Sequence, residues 1–210
     1  MTDMQAAGAA VKPVRTFPER HYNLFLREGF SRFVWKLRDE GVTLSGQTVR
    51  WEHDARPRER RFDDLREVRL TSAHVHKSGD VGVCQLKFND GQLLTVQSTD
   101  MSGLADHDRA PVYGDFVRDL HARLALLKGS AIAFHAGDDP RGRIFTLIVV
   151  TIGLLFFGAL PLGLFLFRPG WETLGLLGAG AAFIWPVWKT MQRNEPRTYS
   201  PSQLPDDLLP

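Results

Sequence analysis

The sequence predicts an α+β fold that is mostly β, followed by a pair of apolar helices. Three observations lead there. Between residues 31 and 100 apolar side chains recur at every second position, the period of a half-buried strand. After Asp108 the period lengthens to that of an amphipathic helix. From Ile144 to Phe167 the chain carries no charged residue for 24 positions.

Residues 1–19 are expected to be a flexible N-terminus, and a folded unit to run from 20 to 136. Phe33, Trp35 and Leu37 share one strand face; Arg32, Lys36 and Arg38 share the other. Asp39-Glu40-Gly41 reads as a turn. Val42-Thr43-Leu44 and Thr48-Val49-Arg50-Trp51 read as strands around Ser45-Gly46. Leu65 to Ala73 is a further strand with Val68 and Leu70 inward. Val81 to Phe88 and Gln92 to Thr99 form a hairpin through Asn89-Asp90-Gly91. Short strands and frequent turns of this kind predict an antiparallel sandwich or small barrel.

Asp108 is the expected cap of the helix, with Pro111 in its first turn. Tyr113, Phe116, Val117, Leu120, Leu124 and Leu127 form one stripe, suited to covering an open end of the barrel. Ala131 to His135 reads as a last short strand, and 137–143 as a linker.

Residues 144–189 are expected to form a transmembrane hairpin, with spans over 144–167 and 171–188. At about 1.5 Å per residue the first is roughly 36 Å long, more than the ~30 Å hydrocarbon core of a bilayer. Arg168-Pro169-Gly170 suits the turn between them. Arg141, Arg143, Lys189, Arg193 and Arg197 flank the pair on one side, against Arg168 in the turn. That asymmetry places both termini in the cytoplasm of a two-span, multi-pass inner-membrane protein. Trp171, Trp185 and Trp188 fit the two interfaces. Residues 1–16 lack the apolar core of a signal peptide. Gly175, Gly178, Ala179 and Ala182 place small residues on one helical face, expected to pack the hairpin, with homo-oligomer formation as the alternative. Pro161 and Pro186 are expected to kink their helices. The Pro-rich tail, 190–210, reads as extended and cytoplasmic, disordered by default, with folding back on the domain or a docking motif as alternatives.

The net charge of +2 excludes a strongly basic nucleic-acid binder, so no nucleic-acid partner is expected. A single cysteine, Cys84, excludes a disulfide framework and a Cys-rich zinc site; in its apolar strand it reads as a small buried hydrophobe. No phosphate-cradling glycine loop, zinc-protease pair, nucleophile elbow or Cys-x-x-Cys occurs, so neither a cofactor nor a catalytic residue is expected. His74 and His76, two apart on a strand, could begin a metal site only with a third ligand from Asp106-His107-Asp108; an exposed polar face is the preferred reading and no metal is expected. His121, beside Leu120, reads as a surface or boundary residue. Asp63 and Asp64 point to opposite faces of a strand start and do not form a coupled pair. The candidate interaction surface is the basic loop with Arg56, Arg58, Arg60 and Arg61, suited to anionic lipid headgroups or to an acidic protein partner.

Trp35-Lys36-Leu37, the run Phe62-Asp63-Asp64-Leu65-Arg66-Glu67-Val68 and the Tyr113-Phe116-Leu120 helix together resemble the bacterial pleckstrin-homology-like membrane proteins. The resemblance covers roughly residues 20–135, and the hairpin in general layout. It implies a bent seven-stranded barrel capped by a C-terminal helix, with binding or scaffolding rather than catalysis as its work. Phosphoinositide-binding members carry a Lys-x(n)-Lys/Arg-x-Arg pattern across the first two strands. Here Lys36-Leu37-Arg38 runs directly into Asp39-Glu40, a departure from that pattern.

The expected function is therefore that of a non-catalytic, membrane-anchored binding or scaffold protein, with the lipid bilayer and a protein as its partners. The alternatives are a small subunit or assembly factor of a larger inner-membrane complex, and a membrane-bound enzyme with an unfamiliar site.

Overall fold

The computed structural model describes residues 17–29, 41–53, 55–75, 78–100, 102–127, 132–167 and 170–210. Ten strands occur among them: β1 (Arg20–Tyr22), β2 (Phe25–Glu28), β3 (Val42–Leu44), β4 (Thr48–His53), β5 (Arg56–Arg61), β6 (Leu65–Val75), β7 (Gly79–Phe88), β8 (Leu93–Gln97), β9 (Ala133–Ala136) and β10 (Arg197–Thr198). They form a four-stranded sheet in the order β1-β3-β4-β5 and a six-stranded sheet in the order β10-β9-β6-β7-β8-β2. All pairings are antiparallel except β6 with β9.

The register follows from local chemistry. Between β7 and β8, Gly91 takes a φ of +84°, and the Asp90 carboxylate accepts the Gln92 amide at 2.9 Å, closing the turn. A bulge between Leu65 and Glu67 adds one residue to β6, so Leu65 and Val68 both face inward although three positions apart. The inner faces supply Leu44, Val49, Trp51, Val68, Leu70, Leu86 and Val96 to one core.

Helix α1 (Arg109–Leu124) lays Tyr113, Phe116, Val117, Leu120 and Leu124 into that core. Phe116 meets Tyr22 edge-on, ring centroids 5.6 Å apart. The Tyr113 ring lies against Gly82, where any Cβ would overlap it. Asp108 is not the side-chain cap: the Asp106 carboxylate accepts the Asp108 and Arg109 amides at 2.9 and 3.3 Å and pairs with the Arg109 guanidinium. On the far side of α1, Arg123 is 2 % exposed. It grips Asp119 through two hydrogen bonds of 3.1 and 2.9 Å and donates to the Pro18 carbonyl at 2.6 Å. Tyr22 donates to the same carboxylate at 2.8 Å. Burial and that carboxylate push the Tyr22 hydroxyl up to about 12.

The C-terminal third corrects the expectation. The apolar stretch is not one long α-helix: it divides into α2 (Pro140–Leu154), a π turn (Leu155–Ala159) and α3 (Leu160–Phe167). Pro161 has no N–H to give the Phe157 carbonyl and its ring crowds that group; widening into a π turn relieves the clash. The last helix, α4 (Trp171–Arg193), contains Glu172, Pro186, glycines and tryptophans, which dilute its hydropathy. Among the described residues no helix is long and apolar enough to cross a membrane. This overturns the transmembrane hairpin with spans at 144–167 and 171–188, and with it the multi-pass inner-membrane placement. The fold class is corrected as well. Two sheets of ten strands, with a parallel β6–β9 pair and a final strand contributed from beyond the helices, replace a bent antiparallel barrel closed by one C-terminal helix. The expected strand around Phe33, Trp35 and Leu37 lies outside the described residues.

The Pro-rich tail is ordered. Asn194 is buried; its side chain accepts the Ser72 amide at 2.9 Å and donates to the Ser72 carbonyl, as a neighbouring strand would. Strand β10 then pairs with β9, Leu208 enters the core, and Tyr199, Leu204 and Leu209 pack against it. The tail is extended only at β10: it turns at Ser200–Gln203 and again in a 3-10 turn at Asp206–Leu208, and its four prolines restrict the unfolded chain, so fewer degrees of freedom are lost on docking.

Candidate functional site

Two surfaces have chemical character, and neither is a deep pocket. The first is built on β5. The sequence reads Arg56–Arg61 as a loop; the structure makes it the edge strand of the four-stranded sheet among the described residues. Cross-strand pairing causes this. Glu59 lies opposite Arg50 and accepts its Nε at 3.1 Å, while Arg50 also donates to Glu19 at 3.2 Å. The Glu59 carboxylate raises the Arg50 guanidinium above its ordinary value.

The register fixes which backbone groups face outward. Phe62 N donates to Gln47 O at 2.9 Å, so pairs two residues on, at Arg60, Arg58 and Arg56, are the bonded ones. The backbone groups of Pro57, Glu59 and Arg61 therefore point to the open edge. Pro57 has no N–H to offer, as is usual on an edge.

The four arginines separate into two kinds. Arg60 is held by Gln92 at 3.0 Å and Asp90 at 3.3 Å, and Arg61 by Asp63 at 2.9 Å. Gln92 in turn donates to Glu28, whose other oxygen accepts the Trp51 indole N–H at 3.2 Å. Arg56 and Arg58 are exposed and form no ion pair with any described residue. A hollow of about 440 Å³ opens beside them, walled by His21, Thr43, Arg50, Trp51, Pro57 and Arg58. A second, of about 290 Å³, lies at the other end of the strand between Arg60, Asp64, Phe88 and Asn89.

The second surface is the helical pair. Ile144, Phe156, Leu166, Phe167, Trp171 and Trp185 are 59, 63, 76, 89, 90 and 73 % exposed. The small-residue face sits differently from the expectation. Gly175, Gly178, Ala179 and Ala182 are exposed, and a Cβ on either glycine would meet nothing within 4 Å. The close approach is made by Gly180, where a Cβ would run into the Phe157 carbonyl and Cβ.

The remaining candidates are accounted for. His74 Nδ1 donates to the Asp80 carboxylate at 2.8 Å, and His76 lies outside the described residues. No group of three metal-ligating side chains occurs among the described residues. Cys84 is fully buried, and burial pushes its thiol up. Asp63 and Asp64 belong to a 3-10 turn, not to a strand start.

His121 is the residue that sequence reasoning missed: it is 1 % exposed, not at the surface. Its Nδ1 bonds the Val117 carbonyl at 2.7 Å and its Nε2 meets the Tyr199 hydroxyl at 2.7 Å, within an aromatic group completed by Phe134. A neutral ring fits, donating at Nδ1 and accepting at Nε2. Burial lowers its pKa from 6.5 to about 4. The unfolded chain thus binds a proton that the folded chain refuses between those two values. Stability is predicted to fall as pH drops from 6.5 towards 4, by up to about 3 kcal/mol from this group. Urea unfolding of His121→Phe across that window checks it; the variant should lose most of the slope.

No family profile matches the chain. A segment of 64 residues, 30 % of this chain, is 41 % identical to 4-hydroxybenzoate octaprenyltransferases from three strains of Pseudomonas putida. The match covers 20 % of those proteins, so the chain spans about a fifth of the length of the curated relatives it matches.

Proposed function

We propose that the chain is a non-catalytic binding protein held at a lipid bilayer, with its two-sheet unit offering the interaction surface. The observation that carries this reading is the apolar surface of the helical pair. Large exposed apolar areas on a folded protein mark sites that another apolar phase covers. Leu154, Leu155, Phe156 and Phe157 are consecutive and all more than 40 % exposed. Phe157 also packs its Cβ against Gly180 of α4, so this apolar surface is the part of the helix that α4 leaves uncovered. Such a surface suits the boundary layer of a bilayer, in which the helical pair lies rather than crosses. Trp171, at the bend of the pair, suits the boundary between headgroup and acyl chain. The likeness to a segment of a prenyltransferase brings no activity with it, because four fifths of those enzymes have no counterpart in the match.

Flotation on a density gradient tests the reading. The full chain should rise with phosphatidylethanolamine–phosphatidylglycerol vesicles and stay with them at high salt. Placing two charges on the apolar surface, Phe156→Asp with Leu166→Asp, should remove the apolar area that holds the pair at the boundary layer and leave the protein in the dense fraction. A wild-type chain that stays monodisperse without detergent and ignores vesicles would overturn it. Recovery in a stoichiometric complex that shields the same surface would instead favour a subunit of a larger assembly.

A further inference from the structure

We propose that the open edge of β5 accepts an extended acidic segment of a partner protein as a fifth strand of the four-stranded sheet. The proposal rests on the binding-protein reading and names the partner's chemistry. Glu59 and Arg61 present outward N–H and C=O groups, and Pro57 an outward C=O. Of these, among the described residues, only the Glu59 carbonyl has a side-chain contact, a long 3.5 Å one from Arg60. A strand laid along this edge would gain main-chain hydrogen bonds there.

Its side chains would alternate between the two sides of the sheet. On one side Arg56 and Arg58 stand exposed, without a carboxylate among the described residues; on the other, the hollow beside Pro57 takes a small side chain. Their charge selects against a second copy of the same basic edge, as guarded edges do. It selects for carboxylates, which guanidinium groups bind bidentately.

Position favours an acidic peptide over lipid headgroups. The helical pair joins the sheet at Leu70 and Ser72, through Gly137 N to Leu70 O and through Asn194 to Ser72. The arginine edge is tied instead to the Leu65–Phe88 end of the six-stranded sheet, where Arg60 meets Asp90. Seven residues of strand, roughly 23 Å, separate the helical junction from the Arg60 end of the edge, and Arg58 and Arg56 lie two and four residues further along β5. Strand β9 runs parallel to β6, so the chain enters the helices heading away from the arginine end.

The test uses the full chain in detergent micelles and a fluorescein-labelled nine-residue peptide of alternating Glu and Val, read by anisotropy. The wild-type chain should bind it. Arg56→Glu with Arg58→Glu, both exposed and checked for an unchanged melting curve, should weaken binding at least tenfold. The same variant should recover binding to a Lys–Val peptide. Methylating alternate backbone nitrogens of the Glu–Val peptide should also weaken binding at least tenfold, because strand addition needs those N–H groups. Equal binding of the methylated peptide would reduce the edge to a charge patch and overturn strand addition. No binding of the wild-type chain would overturn the proposal outright. A charge-reversed variant that loses vesicle flotation but keeps the peptide would assign the arginines to headgroups and also overturn it. Flotation of the wild-type chain is measured separately, so failure of the bilayer reading is told apart from failure of this one.

Discussion

Arg123→Met should destabilise the fold by about 3–5 kcal/mol, because it strands a carboxylate that the protein has taken out of water. The Arg123 side chain is 1 % exposed and that of Asp119 is 11 % exposed, so solvent does little to screen the pair. Without the guanidinium, Asp119 keeps only the Tyr22 hydroxyl as a described donor. The Pro18 carbonyl also loses its 2.6 Å donor, so the segment before β1 loosens from α1. In a chain of this size each kcal/mol shifts the melting temperature by roughly 2–4 °C, so a fall of about 10 °C is expected. Thermal unfolding followed by circular dichroism measures it. Asp119→Leu added to Arg123→Met should return much of the loss, since a matched apolar pair carries no desolvation penalty. A single variant that melts within 2 °C of wild type would show the pair to be solvated.

Phe116→Ala should be of similar size, about 3–5 kcal/mol, by a different route. Phe116 is fully buried where α1 crosses the sheets, against Tyr22 and the central stripe. Truncation removes its transfer energy and leaves a cavity that two sheets and a helix cannot close. The urea midpoint should fall while the slope of the transition stays constant, as for a change in stability without a change in exposed area. Leu126→Ala, at a side chain 49 % exposed just past the helix, should change stability by less than about 0.5 kcal/mol. Equal losses from the two variants would deny Phe116 its place at the centre of the core.

The parts of the fold that were legible are those in which one segment decides its own state. The stripe from Tyr113 to Leu124 marks a helix because its spacing has one face to bury. The β7–β8 hairpin is legible because Asn89-Asp90-Gly91 admits few backbone paths. What remained hidden depends on partners distant in sequence. His121 lies one step off the apolar stripe, and Phe134 together with Tyr199, 78 residues later, covers it. The segment Arg56–Arg61 has the composition of a loop, and becomes a strand because Arg50 and Glu59 align across the pair. The helix cap is ambiguous because Asp106 and Asp108 both precede the turn, and the chain path alone decides between them. Hydropathy counts side chains and is blind to the backbone, so it overlooks the break that Pro161 forces in the apolar stretch.

The junction between the helices and the sheet has a consequence for the chain's variability. Asp138 N donates to Asn194 O at 2.9 Å, so the first and last backbone groups of the apolar appendage touch. Strands β9 and β10, which flank it, are themselves hydrogen-bonded neighbours. Lengthening or shortening both arms by matching whole turns therefore leaves the strands where they are. The helical arms can therefore vary in length while the arginine edge stays untouched.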